Sequence, residues 1–169
     1  MIDKKIEDKL NEQIALEFNA SHFYLAAASW CDTQGYEGSA HFFVMQSEEE
    51  REHGLRIFHF LNSLDGHAIA PAIEKPPVEF ESYRDVFERS LEHEQKNTKA
   101  IHGIVDLTLS DKDYSTYNFM HWYLEEQVEE ENLFRSILDK LDIIGDEGSG
   151  LYMLDSELGQ RQETQLDQE

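Results

Sequence analysis

The chain has 169 residues, a length that fits one domain, and it carries 36 acidic side chains against 14 lysines and arginines, for a formal charge of −22. That imbalance excludes a direct grip on DNA or RNA, because neutralising phosphates takes clustered Lys and Arg, and it disfavours docking on an anionic membrane surface. High charge also accompanies disorder, but 40% of the residues are hydrophobic and 11% aromatic, enough to bury a sizeable core.

The single cysteine, Cys31, excludes a disulfide framework and a CxxC metal knuckle. The first ten residues, MIDKKIEDKL, are charged throughout and contain no apolar signal core. No run approaches the roughly 20 apolar residues of a membrane span. The expectation is a cytoplasmic protein.

In chain order, residues 5–33 and 37–65 read as two helices broken at Gln34-Gly35-Tyr36-Glu37-Gly38. All three prolines, Pro71, Pro76 and Pro77, fall within 65–82, which reads as an extended connector. Residues 83–110 and 114–141 read as two further helices. Ser82 with Asp85 resembles a capping box, and Asp113 suits the N-cap of the fourth helix. A Gly-rich break at 145–150 precedes a short helix at about 151–158, and 159–169 is a polar tail expected to fray. Fully extended, a connector of about 18 residues reaches roughly 60 Å, against roughly 42 Å for a helix of about 28 residues. It can therefore run the length of a bundle. The expected fold is a single all-α domain over 1–169, an antiparallel four-helix bundle with one long crossover and a short C-terminal fifth helix.

A bundle core is lined by positions alternately four and three apart. The four stripes traced in this way are mainly apolar, and each carries a glutamate near its middle: Glu17, between Gln13 and Ala20; Glu50, between Ser47 and Gly54; Glu94, between Leu91 and Thr98; Glu130, between Gln127 and Phe134. None contains Lys or Arg. Helical rise places antiparallel partners within roughly 5 Å of one height.

Four carboxylates converging in an apolar core are costly, because an unpaired buried ion loses several kcal/mol of solvation. Shared protons or bound cations are the two available compensations. His53, three residues after Glu50, favours cations, since both side chains can face one centre. Four carboxylates and one imidazole form a hard, mostly oxygen set that suits iron or manganese and fits poorly with a thiolate zinc site. They also match the charge of two divalent ions. A lone Glu-x-x-His is weak by itself, and a run such as Glu48-Glu49-Glu50-Arg51-Glu52 is ordinarily a solvated face. The joint pattern of four mid-stripe glutamates carries the reading. The other histidines, at 22, 41, 59, 67, 93, 102 and 121, show no paired spacing on the stripes. Glu126 lies three residues before Glu129 and four before Glu130, so these side chains can face one further cation at the inner edge of the bundle.

Glu17, Tyr24, Glu-Glu-x-x-His at 49–53, Glu94, Trp122, Glu-Gln-x-Glu-Glu at 126–130 and Gly-Leu-Tyr-Met-Leu-Asp at 150–155 together resemble a ferritin of the bacterial non-haem type. The resemblance covers residues 1 to about 160. It implies that Glu17, Glu50 and His53 hold a first iron and that Glu50 bridges to a second, completed by Glu94 and Glu130. It implies that Gln127 lies close to the second iron, and that Tyr24 hydrogen-bonds a ligand and, like nearby Trp122, can supply an electron. Glu49, Glu126 and Glu129, with Glu130 shared, match a third iron site. Bacterioferritins instead have Glu-x-x-His where this chain has Gln127-x-x-Glu130, and their haem methionine is replaced here by Glu52, so no haem is expected. Mini-ferritins lack the fifth helix, and rubrerythrins carry a Cys-rich module that one cysteine cannot build.

The function implied is iron storage with ferroxidase activity: oxidation of Fe(II) by O2 or hydrogen peroxide at a di-iron site within each subunit, and deposition of ferric mineral in a homo-oligomeric 24-subunit cage. No nucleic-acid or membrane partner is expected. The alternatives are a di-iron peroxidase or oxygenase that stores nothing, and a non-catalytic acidic metal-binding bundle. The latter, read as a calcium binder, lacks an EF-hand loop and leaves His53 unused.

Overall fold

The computed structural model describes residues 2–145 and 148–161; the expected polar tail from 162 onward, and two residues of the Gly-rich break, lie outside them. Five helices follow in order: α1 (Lys4–Thr33), α2 (Glu37–Ser63), α3 (Tyr83–Asp111), α4 (Tyr114–Ile144) and α5 (Ser149–Gly159). The fold is the all-α bundle with a short fifth helix that the sequence implies. α1 packs along α2 and α3 along α4, while α5 lies against α2 and the end of α4.

Most helix starts are set by local chemistry. The Asp3 carboxylate accepts from the Lys5 amide at 2.8 Å to begin α1, and Asp113 accepts from the Thr116 amide at 3.0 Å to begin α4. At α3, Ser82 Oγ accepts from the Asp85 amide at 3.1 Å. Asp85 reaches back to the amide of Glu81, at 2.9 Å. This is a capping box displaced by one residue, with Asp85 accepting from the amide before the N-cap.

α2 has no local side-chain cap. Its first amides are satisfied from across the fold: Asp155 on α5 accepts from the amides of Gly38 at 3.1 Å and Ser39 at 2.7 Å, and from Ser39 Oγ at 2.6 Å. Such close approach needs a glycine at 38, where a Cβ would sit 1.9 Å from the Asp155 carbonyl oxygen.

The crossover is held to α1 by two asparagines. Asn11 donates to His67 O at 3.0 Å and accepts from the Ile69 amide at 2.8 Å. Asn19 accepts from the Glu74 amide at 2.8 Å. These bonds satisfy backbone groups that an extended segment cannot pair with itself. Phe80 anchors its far end, with ring centroids 5.9 Å from Phe23 and 5.7 Å from Trp30.

The apolar core is split. One cluster, around Tyr24, Phe43, Phe87 and Phe134, fills the end that α5 covers. Another, around Ile6, Leu10, Ile57, Leu61 and Met120, fills the opposite end. Between them lies a polar layer of Gln13, Glu17, Gln46, Glu50, His53, Glu94, Asn97, Gln127 and Glu130, all buried.

Candidate metal centre

Each bundle helix delivers its mid-stripe glutamate to this layer. Glu17 and Glu50 are fully excluded from solvent, and Glu94 and Glu130 almost so. Among the described residues, no buried side chain is a lysine or arginine. Burial therefore drives all four carboxyl groups above their ordinary range. Glu94 is pushed up to about 7. Glu50 and Glu130 lie well above the ordinary value, first through desolvation and then through the charge of Glu94. Glu17 is raised less emphatically, because a hydrogen bond with Glu50, and then the donors Gln13 and Asn97, stabilise its charged form.

The layer is unevenly satisfied. Glu17 accepts from Gln13 Nε2 at 2.7 Å and from Asn97 Nδ2 at 3.2 Å. Glu94 Oε1 accepts from the hydroxyl of Tyr24, and its Oε2 from Gln127 Nε2 at 3.1 Å. Glu130 accepts from Gln46 Nε2 at 3.1 Å. No amide, hydroxyl or basic donor reaches either Glu50 oxygen, whose one polar partner is the Glu17 carboxyl group, and His53 Nε2 has none. Buried polar atoms left without partners are rare and call for a ligand or a cost. His53 Nδ1 lies 3.6 Å from Glu50 Oε2. Burial holds the imidazole neutral, with its pKa lowered to about 4, so it offers a lone pair rather than a counter-charge.

Glu17, Glu50 and His53 offer ligand atoms that all lie within 4.8 Å of one another. A second such group, half-exposed, consists of Glu49, His53 and Glu126. Glu129 is exposed and stands outside both, although its charge helps to raise Glu126 after desolvation. Tyr24 is sandwiched between Phe43 and Phe134, with centroids 5.9 and 5.7 Å away, which fixes its phenol against Glu94. Trp122 is half-buried, its ring 5.2 Å from that of His53 and capped by the Arg56 guanidinium at 4.3 Å. Asn97 and Gln46 are absent from the sequence reading. The α3 stripe as traced passes through Thr98, which is half-buried, whereas the helix buries Asn97.

A four-helix bundle with a buried layer of four glutamates and one histidine, no basic partner and unsatisfied oxygen and nitrogen donors defines a ferritin-like carboxylate bundle built to hold cations. Residues 7–144 match the ferritin-like domain family. The chain is 44% identical over 159 residues to a probable bacterial non-heme ferritin-like protein of Haemophilus influenzae, covering 94% of this chain and 96% of that one. It is 44% identical over 161 residues to a bacterial non-heme ferritin of Staphylococcus saprophyticus, with 95% and 96% covered. Among solved structures, an Archaeoglobus fulgidus ferritin engineered into a closed form superposes with a TM-score of 0.94 at 39% identity, covering 97% of this chain and all of that one. The open-pore ferritin of the same archaeon gives 0.94 and 39%, covering 96% of this chain and all of that one. The chain belongs to the ferritin family, in its bacterial non-haem group. Among the described residues, no helix is long and apolar enough to cross a membrane.

Proposed function

We propose that this protein is an iron-storage ferritin whose buried carboxylate layer is a ferroxidase site. Iron storage is the function of the family. The site-specific reading rests on one observation above all: Glu17, Glu50 and His53 place ligand atoms within 4.8 Å of one another, buried in a layer lacking Lys and Arg. A divalent cation there supplies the positive charge that the layer lacks.

Fe(II) enters as substrate. Glu17, Glu50 and His53 hold one ion, and Glu94 and Glu130 a second, with Glu50 between them. Binding displaces protons from carboxyl groups whose pKa burial has raised, so uptake releases protons and strengthens as pH rises. Each iron gives up one electron. O2 takes the pair with two protons and leaves as hydrogen peroxide; hydrogen peroxide as oxidant takes the pair with two protons and leaves as two waters. The protein positions both metals in a dry layer with coordination positions open to oxidant. Tyr24 and Gln127 hold Glu94 from either side. Trp122 lies close enough to the His53 ring to serve as a further electron source. Glu49, Glu126 and Glu129, with Glu130, form a third iron site at the inner edge. The ferric product then passes to mineral inside a 24-subunit cage, whose subunits, each formally −22, attract cations. No haem takes part.

Anaerobic loading with Fe(II), followed by air, tests this reading. Fast oxidation with ferric iron retained in a large particle is the expected result. Oxidation with loss of the iron leaves a non-storing di-iron enzyme, and no oxidation sinks both di-iron readings.

A further inference from the structure

A chain of side chains runs from the bundle surface through Gln127 to Glu94, and its outer members, Arg135, Glu131 and Thr98, are used by nothing described above. Arg135 on α4 is ion-paired with Glu131, one turn earlier. Glu131 Oε1 accepts from Thr98 Oγ1 at 2.6 Å, crossing to α3. Thr98 Oγ1 accepts from Gln127 Nε2 at 3.2 Å, crossing back to α4. Gln127 Nε2 also donates to the Glu94 carbonyl at 3.2 Å and to Glu94 Oε2 at 3.1 Å.

The chain has a direction that hydrogen counting enforces. A threonine hydroxyl has one hydrogen, and a carboxylate can only accept. Because Thr98 gives its hydrogen to Glu131, it can only accept from Gln127. The Gln127 amide must therefore turn its NH2 group toward Thr98 and Glu94. There two hydrogens meet three acceptors: Thr98 Oγ1, the Glu94 carbonyl and Glu94 Oε2. The carbonyl oxygen is left facing Asn97 Nδ2, 3.5 Å away. With the amide reversed, its oxygen would oppose the Glu94 carbonyl and, in the ionised form that binds a cation, the Glu94 carboxylate. The correct orientation thus fixes Glu94 Oε2 on one side while Tyr24 fixes Oε1 on the other.

We propose that Thr98 and Glu131, steadied by Arg135, are positioning residues for Glu94: they set the orientation of the Gln127 amide and so hold the Glu94 carboxylate in place for a divalent cation on the Glu94–Glu130 side of the layer. This rests on the two-cation reading above. Neither Thr98 nor Glu131 touches the cation. Thr98→Val keeps the shape of the side chain and removes the acceptor for Gln127. Glu131→Ala frees the Thr98 hydrogen to donate to Gln127, so the reversed amide becomes possible. Thr98→Ser keeps the hydroxyl and the order of the chain. Arg135 is half-exposed at its side chain, and exposed ion pairs contribute little, so Arg135→Gln has the smallest effect.

The test is anaerobic titration of iron-free, assembled, full-length protein with Co(II), which binds without turnover, followed by its visible absorption and by calorimetry. Thermal unfolding of each variant checks the fold. The expected result is that Thr98→Val and Glu131→Ala weaken the second Co(II) step by about five- to tenfold, the scale of one lost hydrogen bond between uncharged groups. The first step stays within about twofold of the parent by the same scale, and Thr98→Ser restores the second. Glu94→Gln, run alongside, separates the failures. If it removes the second step while Thr98→Val and Glu131→Ala do not weaken it, the positioning role is overturned and the two-cation reading stands. If Glu94→Gln leaves both steps intact, the two-cation reading falls and the positioning role with it. Equal weakening of both steps in Glu131→Ala, or failure of Thr98→Ser to restore, also overturns the proposal, because it marks a general structural role.

Discussion

His53 Nδ1 lies 3.6 Å from Oε2 of Glu50, one helical turn away and fully buried with it, yet the two do not form an ion pair. Burial holds the imidazole neutral and raises the carboxyl group well above its ordinary range. Two metal-donor groups side by side, with Glu17 offering a third ligand atom within 4.8 Å, are arranged for a cation. Glu50→Ala combined with His53→Ala is therefore expected to abolish fast Fe(II) oxidation while leaving the helical fold intact. Removing a buried carboxyl group that has no basic partner leaves the iron-free bundle as stable or more stable. Stopped-flow absorbance and thermal unfolding measure the two effects. Parental oxidation rates in this double variant would show that the site is misplaced.

The pH dependence of the iron-free protein follows from opposing groups. The raised carboxyl groups of Glu50, Glu94 and Glu130 are protonated in the fold and ionised in the unfolded chain over the window between the two pKa values. Their stabilising contribution is complete below the ordinary carboxylate value and is lost as pH rises through the folded value, which is about 7 for Glu94 and well above the ordinary range for Glu50 and Glu130. His53 and His93, both lowered to about 4, act in the opposite sense, losing stability as pH falls below 6.5. Above pH 6.5 both histidines are neutral in the fold and at most half charged in the unfolded chain, so the carboxyl groups outweigh them. The stability of iron-free protein is expected to fall from pH 6.5 to about 8, and Glu50→Gln to flatten that fall. A rising curve in urea unfolding over this window would contradict the assignment.

The contact between Asp155 and Ser39 ties α5 to the start of α2. Asp155→Ala removes the acceptor for two helix-terminal amides and is expected to cost about 1–2 kcal/mol, the range for a lost N-cap. Gly38→Ala must displace the α5 backbone, because a Cβ would lie 1.9 Å from Asp155 O. Both should lower the unfolding midpoint while the two-step Co(II) titration keeps its shape.

Glu49, His53 and Glu126 come together at the edge of the layer, whereas Glu129 remains exposed. Replacing Glu49, Glu126 and Glu129 by Ala is expected to change oxygen stoichiometry or turnover and leave two tightly bound cations per chain. Of the single changes, Glu126→Ala should have the larger effect and Glu129→Ala the smaller. Oxygen-electrode measurements that match the parent in both respects would remove the third site from the account.

The helix order, the crossover and the burial of Glu17, Glu50, Glu94 and Glu130 were legible because they depend on local periodicity. Glutamates in otherwise apolar stripes stand out without any knowledge of what they face. The polar residues around them were harder to read. A stripe can alternate as four-then-three or as three-then-four, and periodicity alone does not choose the order. On α3 the traced order runs through Leu91 and Thr98, whereas the helix takes the other and buries Ser90 and Asn97. Gln46 precedes the traced Ser47 by one position and was passed over, although it donates to Glu130. The cap that Asp155 places on α2 spans more than a hundred residues of sequence, and no local signal encodes it.

The most direct test of the central claim is anomalous diffraction from a crystal soaked anaerobically in Fe(II). The account predicts two iron peaks within each subunit, one bounded by Glu17, Glu50 and His53 and the other by Glu94 and Glu130, with Glu50 touching both. Iron confined to surface carboxylates, with this buried layer empty at saturating Fe(II), would contradict it.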